Sequence, residues 1–210
     1  LSALSFADIC VFLSSRRRLP RSTLFPYTTL FRSCIVGLEE NGKVYIGGDS
    51  AGSSGWDYSL REDKKIFRNG KMVFGFTGSF RMGQILQYKL RIPKQKTRDN
   101  FKYLATTFID SIIKCFKDNG YATVRNNEVW GGTFIVGYKG KLYQIFDDFQ
   151  VSRTLKPFVS CGCGESYALG AMEILHKNKN MYPENKVLKA LEVAEAYSAG
   201  VRAPFNIVSI

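Results

Sequence analysis

The stretch Cys34-Ile35-Val36-Gly37-Leu38-Glu39-Glu40-Asn41-Gly42-Lys43-Val44-Tyr45-Ile46-Gly47-Gly48-Asp49 decides the fold. Two short, largely apolar runs, residues 34–39 and 44–49, flank an Asn-Gly pair, and Asn-Gly between apolar runs is a hairpin signal. The pattern recurs at residues 65–68 and 72–77 around Asn69-Gly70, and at 133–138 and 141–146 around Lys139-Gly140. Residues 158–161 and 205–210 read as further strands. Helical spacing covers residues 79–92, stopped by Pro93, and 100–117, where Phe101, Leu104, Phe108, Ile112 and Cys115 share a face. Residues 165–176 and 183–198 read as two more helices, the second opened by Pro183. The order is strands, two helices, strands, two helices, strand. Stacking two antiparallel sheets face to face, with a helix pair outside each, buries all these apolar faces. The expected class is α/β (α+β), a four-layer αββα sandwich.

Chemistry-bearing residues fall at the ends of these strands. Asp49 follows Ser33 by 16 positions, and Lys65 follows Asp49 by the same interval. Gly75-Phe76-Thr77-Gly78 closes the next strand. A hydroxyl, a carboxylate and a lysine at neighbouring strand ends can converge on one point. That is the equipment of a hydrolase whose nucleophile stands at its own amino terminus. Taken singly, each element has a duller reading: Gly48-Asp49 as a strand-end turn, Lys64-Lys65 as a surface pair, Gly75 to Gly78 as a loop. No Lys-Ser/Thr follows those glycines, so they make a poor phosphate cradle.

The segment before Cys34 is of another kind. Arg21-Ser22-Thr23-Leu24-Phe25-Pro26-Tyr27-Thr28-Thr29-Leu30-Phe31-Arg32-Ser33 resembles the in-frame translation of a common DNA-sequencing adapter. Residues 1–33 are therefore expected to be an artefactual leader, excluded from fold reasoning, with one domain over residues 34–210. The apolar run precedes the basic one, the reverse of a signal peptide, and Asp8 and the short length argue against a membrane span.

The whole chain of 210 residues carries a net charge of +12. Residues 1–33 hold five Arg and one Asp, so the remaining 177 keep 25 basic and 17 acidic side chains, a balance of +8. The lysines are scattered. The densest run, Lys94-Gln95-Lys96-Thr97-Arg98, lacks interleaved aromatics, so a solvated face is expected rather than a nucleic-acid site. A length near 177 suits one domain with a sizeable core. Cys34, Cys115, Cys161 and Cys163 are expected as reduced thiols in a cytoplasmic protein. Cys161-Gly162-Cys163 makes a poor metal site, because the one histidine, His176, reads as a helix-end residue and no second cysteine pair completes four ligands. No metal or other cofactor is expected.

From Cys34 to Ile210 the chain resembles the N-terminal-nucleophile hydrolases of the proteasome β-subunit type, and most of all the small proteasome-like peptidases of bacteria and phages. Cys34-Ile35-Val36-Gly37 matches the run that follows the family's catalytic Thr, which puts Ser33 where that Thr stands, the natural residue overwritten by the adapter. Asp49 and Lys65 match the family's carboxylate and lysine, and Gly78 the glycine whose N–H faces the oxyanion. Gly162-Cys163-Gly164 with Tyr167-Ala168 matches a Gly-Ser-Gly…Tyr-Ala segment, and Glu195-Ala196-Tyr197-Ser198 with Gly200 an Asp-Ala-Tyr-Ser-x-Gly segment. Cys163 for Ser and Glu195 for Asp depart from the pattern. The resemblance implies catalytic roles for Ser33, Asp49, Lys65, Gly78, Cys163, Glu195 and Ser198. It also implies a homo-oligomeric ring that cleaves peptides or unfolded proteins, fed by a separate ATP-dependent unfoldase, with no nucleic-acid or membrane partner.

The chemistry accounts for the residue types. A hydroxyl needs an adjacent base, and a free α-amine, with a pKa of roughly 7.7–8.0, can supply it. A cation beside the oxygen favours its ionised form, and loss of one oxyanion donor costs about 3–4 kcal/mol in known cases. The expected function is a threonine-type endopeptidase. With 32 residues ahead of Ser33, the chain is expected to be inactive unless cleaved after Arg32. A cysteine amidase using Cys34 and a non-catalytic ring subunit are the alternatives; spacing disfavours the first, and the retained Asp49 and Lys65 disfavour the second. Residues between Ser50 and Arg61 are expected to shape specificity, with residues 52–56 as a flexible loop.

Overall fold

A computed structural model describes residues 33–54, 57–125 and 128–210, so the expected leader, apart from Ser33, lies outside the described residues, as do Gly55 and Trp56. The opening hairpin forms as expected from strand β1 (Cys34–Glu40) and β2 (Lys43–Gly48), which pair antiparallel from Ile35 with Gly48 to Glu40 with Lys43. Asn41 and Gly42 both take positive φ, 53° and 73°, the conformation a two-residue turn between twisted strands requires. A short hairpin, β3 (Ala51–Ser54) with β4 (Asp57–Leu60), follows. It replaces part of the loop expected over 52–56. Two more hairpins supply β5 (Ile66–Asn69) with β6 (Met72–Phe76), and β9 (Phe134–Tyr138) with β10 (Lys141–Ile145). Between them lie helices α1 (Phe80–Tyr88) and α2, and the small hairpin β7 (Thr123–Arg125) with β8 (Glu128–Trp130). Helix α2 runs from Asn100–Tyr103 through a π-helical turn, Leu104–Phe108, into Ile109–Asp118. The chain ends with β11 (Val151–Ser152), β12 (Phe158–Gly162), α3 (Glu165–Leu175), α4 (Pro183–Tyr197) and β13 (Asn206–Ser209).

Two sheets carry the fold. One has the order β12-β1-β2-β13 and the other β11-β10-β9-β6-β5, with every pairing antiparallel. Strand alternation sends side chains to opposite faces. In β1, Ile35 joins a layer with Ile46, Val73, Ile135 and Val159, contributed by both sheets. Cys34, Val36 and Leu38 face the other way and pack with Ala168, Met172, Val187 and Leu191 of α3 and α4. On the outer face of the second sheet, Phe74, Phe134 and Tyr143 pack with Ile85, Leu86, Phe108 and Ile112 of α1 and α2. Three apolar layers between four layers of elements make the αββα sandwich expected from the sequence.

Two details depart from simple patterning. Helix α1 stops at Tyr88, short of the expected 92, because Asn69 Nδ2 donates to the carbonyls of Leu86 and Leu90 at 2.9 and 3.0 Å. That side chain satisfies the end of the helix from another element. Lys186 in α4 is 1% exposed, with Nζ donating to both Glu40 carboxylate oxygens at 2.9 and 2.7 Å. A buried cation survives when paired and hydrogen-bonded.

Gly170 sits mid-α3 on the exposed face, and a Cβ added there meets nothing within 4 Å. Glycine in a helix costs roughly 0.5–1 kcal/mol relative to alanine. Gly170→Ala is therefore expected to stabilise the chain by about that amount, read as a raised denaturant midpoint with an unchanged slope.

Candidate active site

The candidate site assembles where β1 begins and β2 and β6 end. The β1–β2 register sets Ile35 opposite Gly48, which brings Asp49 to the start of β1. There Asp49 Oδ1 accepts from the Cys34 backbone N–H at 2.9 Å and from Lys65 Nζ at 2.8 Å, while Oδ2 accepts from Ala51 N–H at 3.0 Å. One carboxylate oxygen thus holds both the lysine ammonium and the amide joining Ser33 to Cys34. Asp49 and Lys65 are 1% and 2% exposed, and Ser33 is 2% exposed. Burial opposes charge on both partners of the ion pair, pushing the Asp49 carboxyl up and the Lys65 ammonium down from their ordinary values. Each offsets this for the other, and two backbone donors add to the carboxylate side. The cation is held in a dry setting, where it acts strongly on a neighbouring oxygen.

Around Ser33 the backbone is crowded. Its carbonyl accepts from Gly164 N–H and from the Cys163 thiol, both at 3.4 Å. Gly162 has φ +103°, and a Cβ built there would stand 2.2 Å from the Ser33 carbonyl oxygen. The same Cβ would lie 3.2 Å from Thr77 Cγ2, so Thr77, Gly162 and Ser33 are neighbours. Gly78, one residue beyond, takes φ +80° and is exposed.

Cys163 lies half-buried against Ser33, and Ser198 Oγ donates to its sulfur at 3.3 Å. Those two residues therefore join the cluster. Glu195 is placed otherwise: its Oε1 accepts from Ala203 N–H at 2.9 Å, tying the end of α4 to the segment leading into β13. Cys161 and Cys163 do not converge, because Cys161 packs between the sheets and Cys163 on the helix side. His176 packs at a tilt against Phe158, ring centroids 5.0 Å apart, and contacts the Met172 carbonyl at its helix end.

Phe80 is not among the residues expected at the site, and Arg61 enters only as the end of the segment expected to shape specificity. The Arg61 guanidinium lies over the Phe80 ring at 3.9 Å from its centroid, and Lys65 Nζ stands 5.8 Å from the same centroid. The signal was an aromatic directly after Gly78-Ser79 and a basic residue just past the end of β4.

Cys34 is wholly buried on the helix side, and burial pushes its thiol up to about 12. The thiolate is the reactive form of cysteine. Alkylation of the folded chain at pH 8 is expected to leave Cys34 unmodified, which peptide mapping by mass spectrometry will show. Modification at Cys34 as fast as in the unfolded chain would contradict this placement.

Two stacked antiparallel sheets between helix pairs, with a strand-end lysine–carboxylate pair at the head of β1, define the proteasome β-type N-terminal-nucleophile hydrolase fold. Comparison with known proteins gives the same class. The chain is similar to the ATP-dependent protease subunit HslV of Caldicellulosiruptor saccharolyticus, 26% identical over 163 residues, covering 76% of this chain and 88% of HslV. HslV of a Sulfurihydrogenibium species is 24% identical, covering 76% and 86%. Among solved structures, BPH of Thiobacillus denitrificans in complex with epoxomicin superposes with a TM-score of 0.71 at 17% identity, over 84% of this chain and 97% of BPH. HslV from Trypanosoma brucei gives 0.63 at 18% identity, over 84% and 98%. No family model matches the chain.

Proposed function

We propose that the chain is an endopeptidase of the threonine type, with Ser33 supplying the nucleophilic hydroxyl. The observation that carries this reading is the buried Lys65–Asp49 pair, bonded through one carboxylate oxygen to the first amide of β1. Once the bond between Arg32 and Ser33 is cut, the Ser33 α-amine is a base within its own residue. The hydroxyl proton passes to that amine, directly or through a water, as Oγ adds to the scissile carbonyl. Lys65 stabilises the oxygen while it carries charge, and Asp49 fixes the lysine's position. Gly78 N–H is suited to the oxyanion, since a residue without Cβ lets backbone approach the substrate closely. Collapse releases the leaving amine and an ester on Ser33. Water then hydrolyses the ester, with the amine again moving the proton. Cys163, whose thiol donates to the Ser33 carbonyl and accepts from Ser198 Oγ, holds the nucleophile's backbone, and Glu195 braces the loop behind them.

The functional unit under this reading begins at residue 33. Similarity to subunits described as ATP-dependent proteases supports a multisubunit ring working with a separate ATPase. The test is to cleave after Arg32 and measure hydrolysis of fluorogenic peptides. Activity that appears only with the free Ser33 amine supports the reading. Equal hydrolysis by the intact chain, its mass confirmed as 210 residues, would refute it.

A further inference from the structure

We infer that Arg61, its guanidinium over the Phe80 ring that Lys65 also approaches, is a specificity-determining residue that selects peptides with an acidic side chain next to the cleaved bond. This rests on the peptidase reading of the site.

Arg61 is anchored to both halves of the site. Its backbone N–H donates to the carbonyl of Ser50, the neighbour of Asp49, at 3.0 Å. Its stem crosses buried Gly52, where a Cβ would stand 2.5 Å from Arg61 Cδ, so the glycine leaves the channel in which the stem lies. Its head rests on Phe80, two residues beyond Gly78, whose ring is itself fixed edge-on against buried Phe76 at 5.7 Å. The Lys65 ammonium stands close to the same ring. Arg61 therefore links the segment carrying Asp49, through its backbone, to the segment carrying Gly78, through its guanidinium on Phe80.

Its hydrogen-bonding capacity is only partly used. Nε and Nη2 donate to the two oxygens of Asp63, each at 2.7 Å. A guanidinium has five N–H groups, so three have no partner among the described residues. Asp63 holds one edge and fixes the plane, while the opposite edge keeps the paired N–H geometry that matches a carboxylate. The side chain is 38% exposed, so a ligand can reach that edge. Rigid placement by an aromatic face, a glycine channel and a bidentate acid lowers the ordering cost of binding. An exposed lysine at this position would lack the fork and the fixed plane.

The carboxylate could belong to a side chain or to a chain terminus, and the experiment separates the two. Short fluorescent peptides ending in Glu-amide, Gln-amide, Leu-amide, Lys-amide or Leu with a free carboxylate are titrated by anisotropy against the full 210-residue chain and its Arg61→Ala and Arg61→Glu variants. The expected result is binding about tenfold tighter for Glu-amide than for Gln-amide or Leu-amide, lost in Arg61→Ala and reversed in favour of a Lys-amide peptide in Arg61→Glu. Equal binding of all peptides, no binding, a preference confined to the free terminal carboxylate, or discrimination that survives Arg61→Ala each overturns the assignment. Hydrolysis of matched internal-site peptides by the chain cleaved after Arg32, run in parallel, reports on the peptidase reading separately. Discrimination in binding without hydrolysis counts against that reading and leaves the role of Arg61 standing.

Discussion

Lys65→Ala is expected to abolish peptide hydrolysis and to destabilise the chain by about 3–5 kcal/mol, the usual cost of leaving one partner of a buried ion pair uncompensated. Asp49 is 1% exposed and would keep only two backbone donors, the amides of Cys34 and Ala51. The activity loss alone would not separate catalysis from folding. The double substitution Asp49→Asn with Lys65→Met does. It removes both charges while leaving similar volumes and an amide oxygen for the Cys34 N–H, and neutral replacement of a whole buried pair is often harmless to stability. Its denaturant midpoint is expected to return most of the way to that of the parent, with hydrolysis still absent. Recovered hydrolysis in the double variant would mean that Lys65 serves only the fold.

Gly162→Ala is expected to cost roughly 2–6 kcal/mol, combining a side chain at a φ that strains non-glycine residues with overpacking. The φ of +103° puts the position in the left-handed region, and the new Cβ would sit 2.2 Å from the Ser33 carbonyl oxygen and 2.9 Å from its carbon. The atoms met first are backbone rather than the end of a flexible side chain, so Ser33 itself must move. For a domain of this size, the melting temperature should fall by roughly 5–20 °C. Residual hydrolysis measured well below that temperature should fall too, because the displaced residue is the proposed nucleophile. Gly170→Ala, in open space on α3, provides the opposite sign. A Gly162→Ala chain with unchanged melting and activity would show that the β12–α3 connection does not hold Ser33 in place.

The hairpins were legible because their signals are local. Asn41-Gly42, Asn69-Gly70 and Lys139-Gly140 each fix a turn, and the alternation on either side tells which residues face the core. Asp49 and Lys65 were legible for a related reason: hairpin register carries a strand-end residue to a definite place opposite its partner. What depended on distant partners was not legible. Helix α1 ends early where Asn69, on β5, donates to the carbonyls of Leu86, in its last turn, and Leu90, just past its end. Lys186 is buried because Glu40 meets it from far along the chain. The β3 strand, rich in Gly and Ser, carries little strand propensity of its own, and forms by register with β4. Arg61 is legible only as the end of a segment expected to shape specificity, because nothing near it in sequence shows that Phe80 lies under its guanidinium.

The central claim is that residue 33, supported by Lys65, is the acylated residue. The most direct measurement is to free the Ser33 amine, mix the chain with a peptide ester, quench in acid within the first turnover and map the acyl group by tandem mass spectrometry. The account predicts one acyl group, on Ser33, absent when Lys65 is replaced by Ala. An acyl group on Cys34, or one on Ser33 that forms equally fast without Lys65, would contradict it.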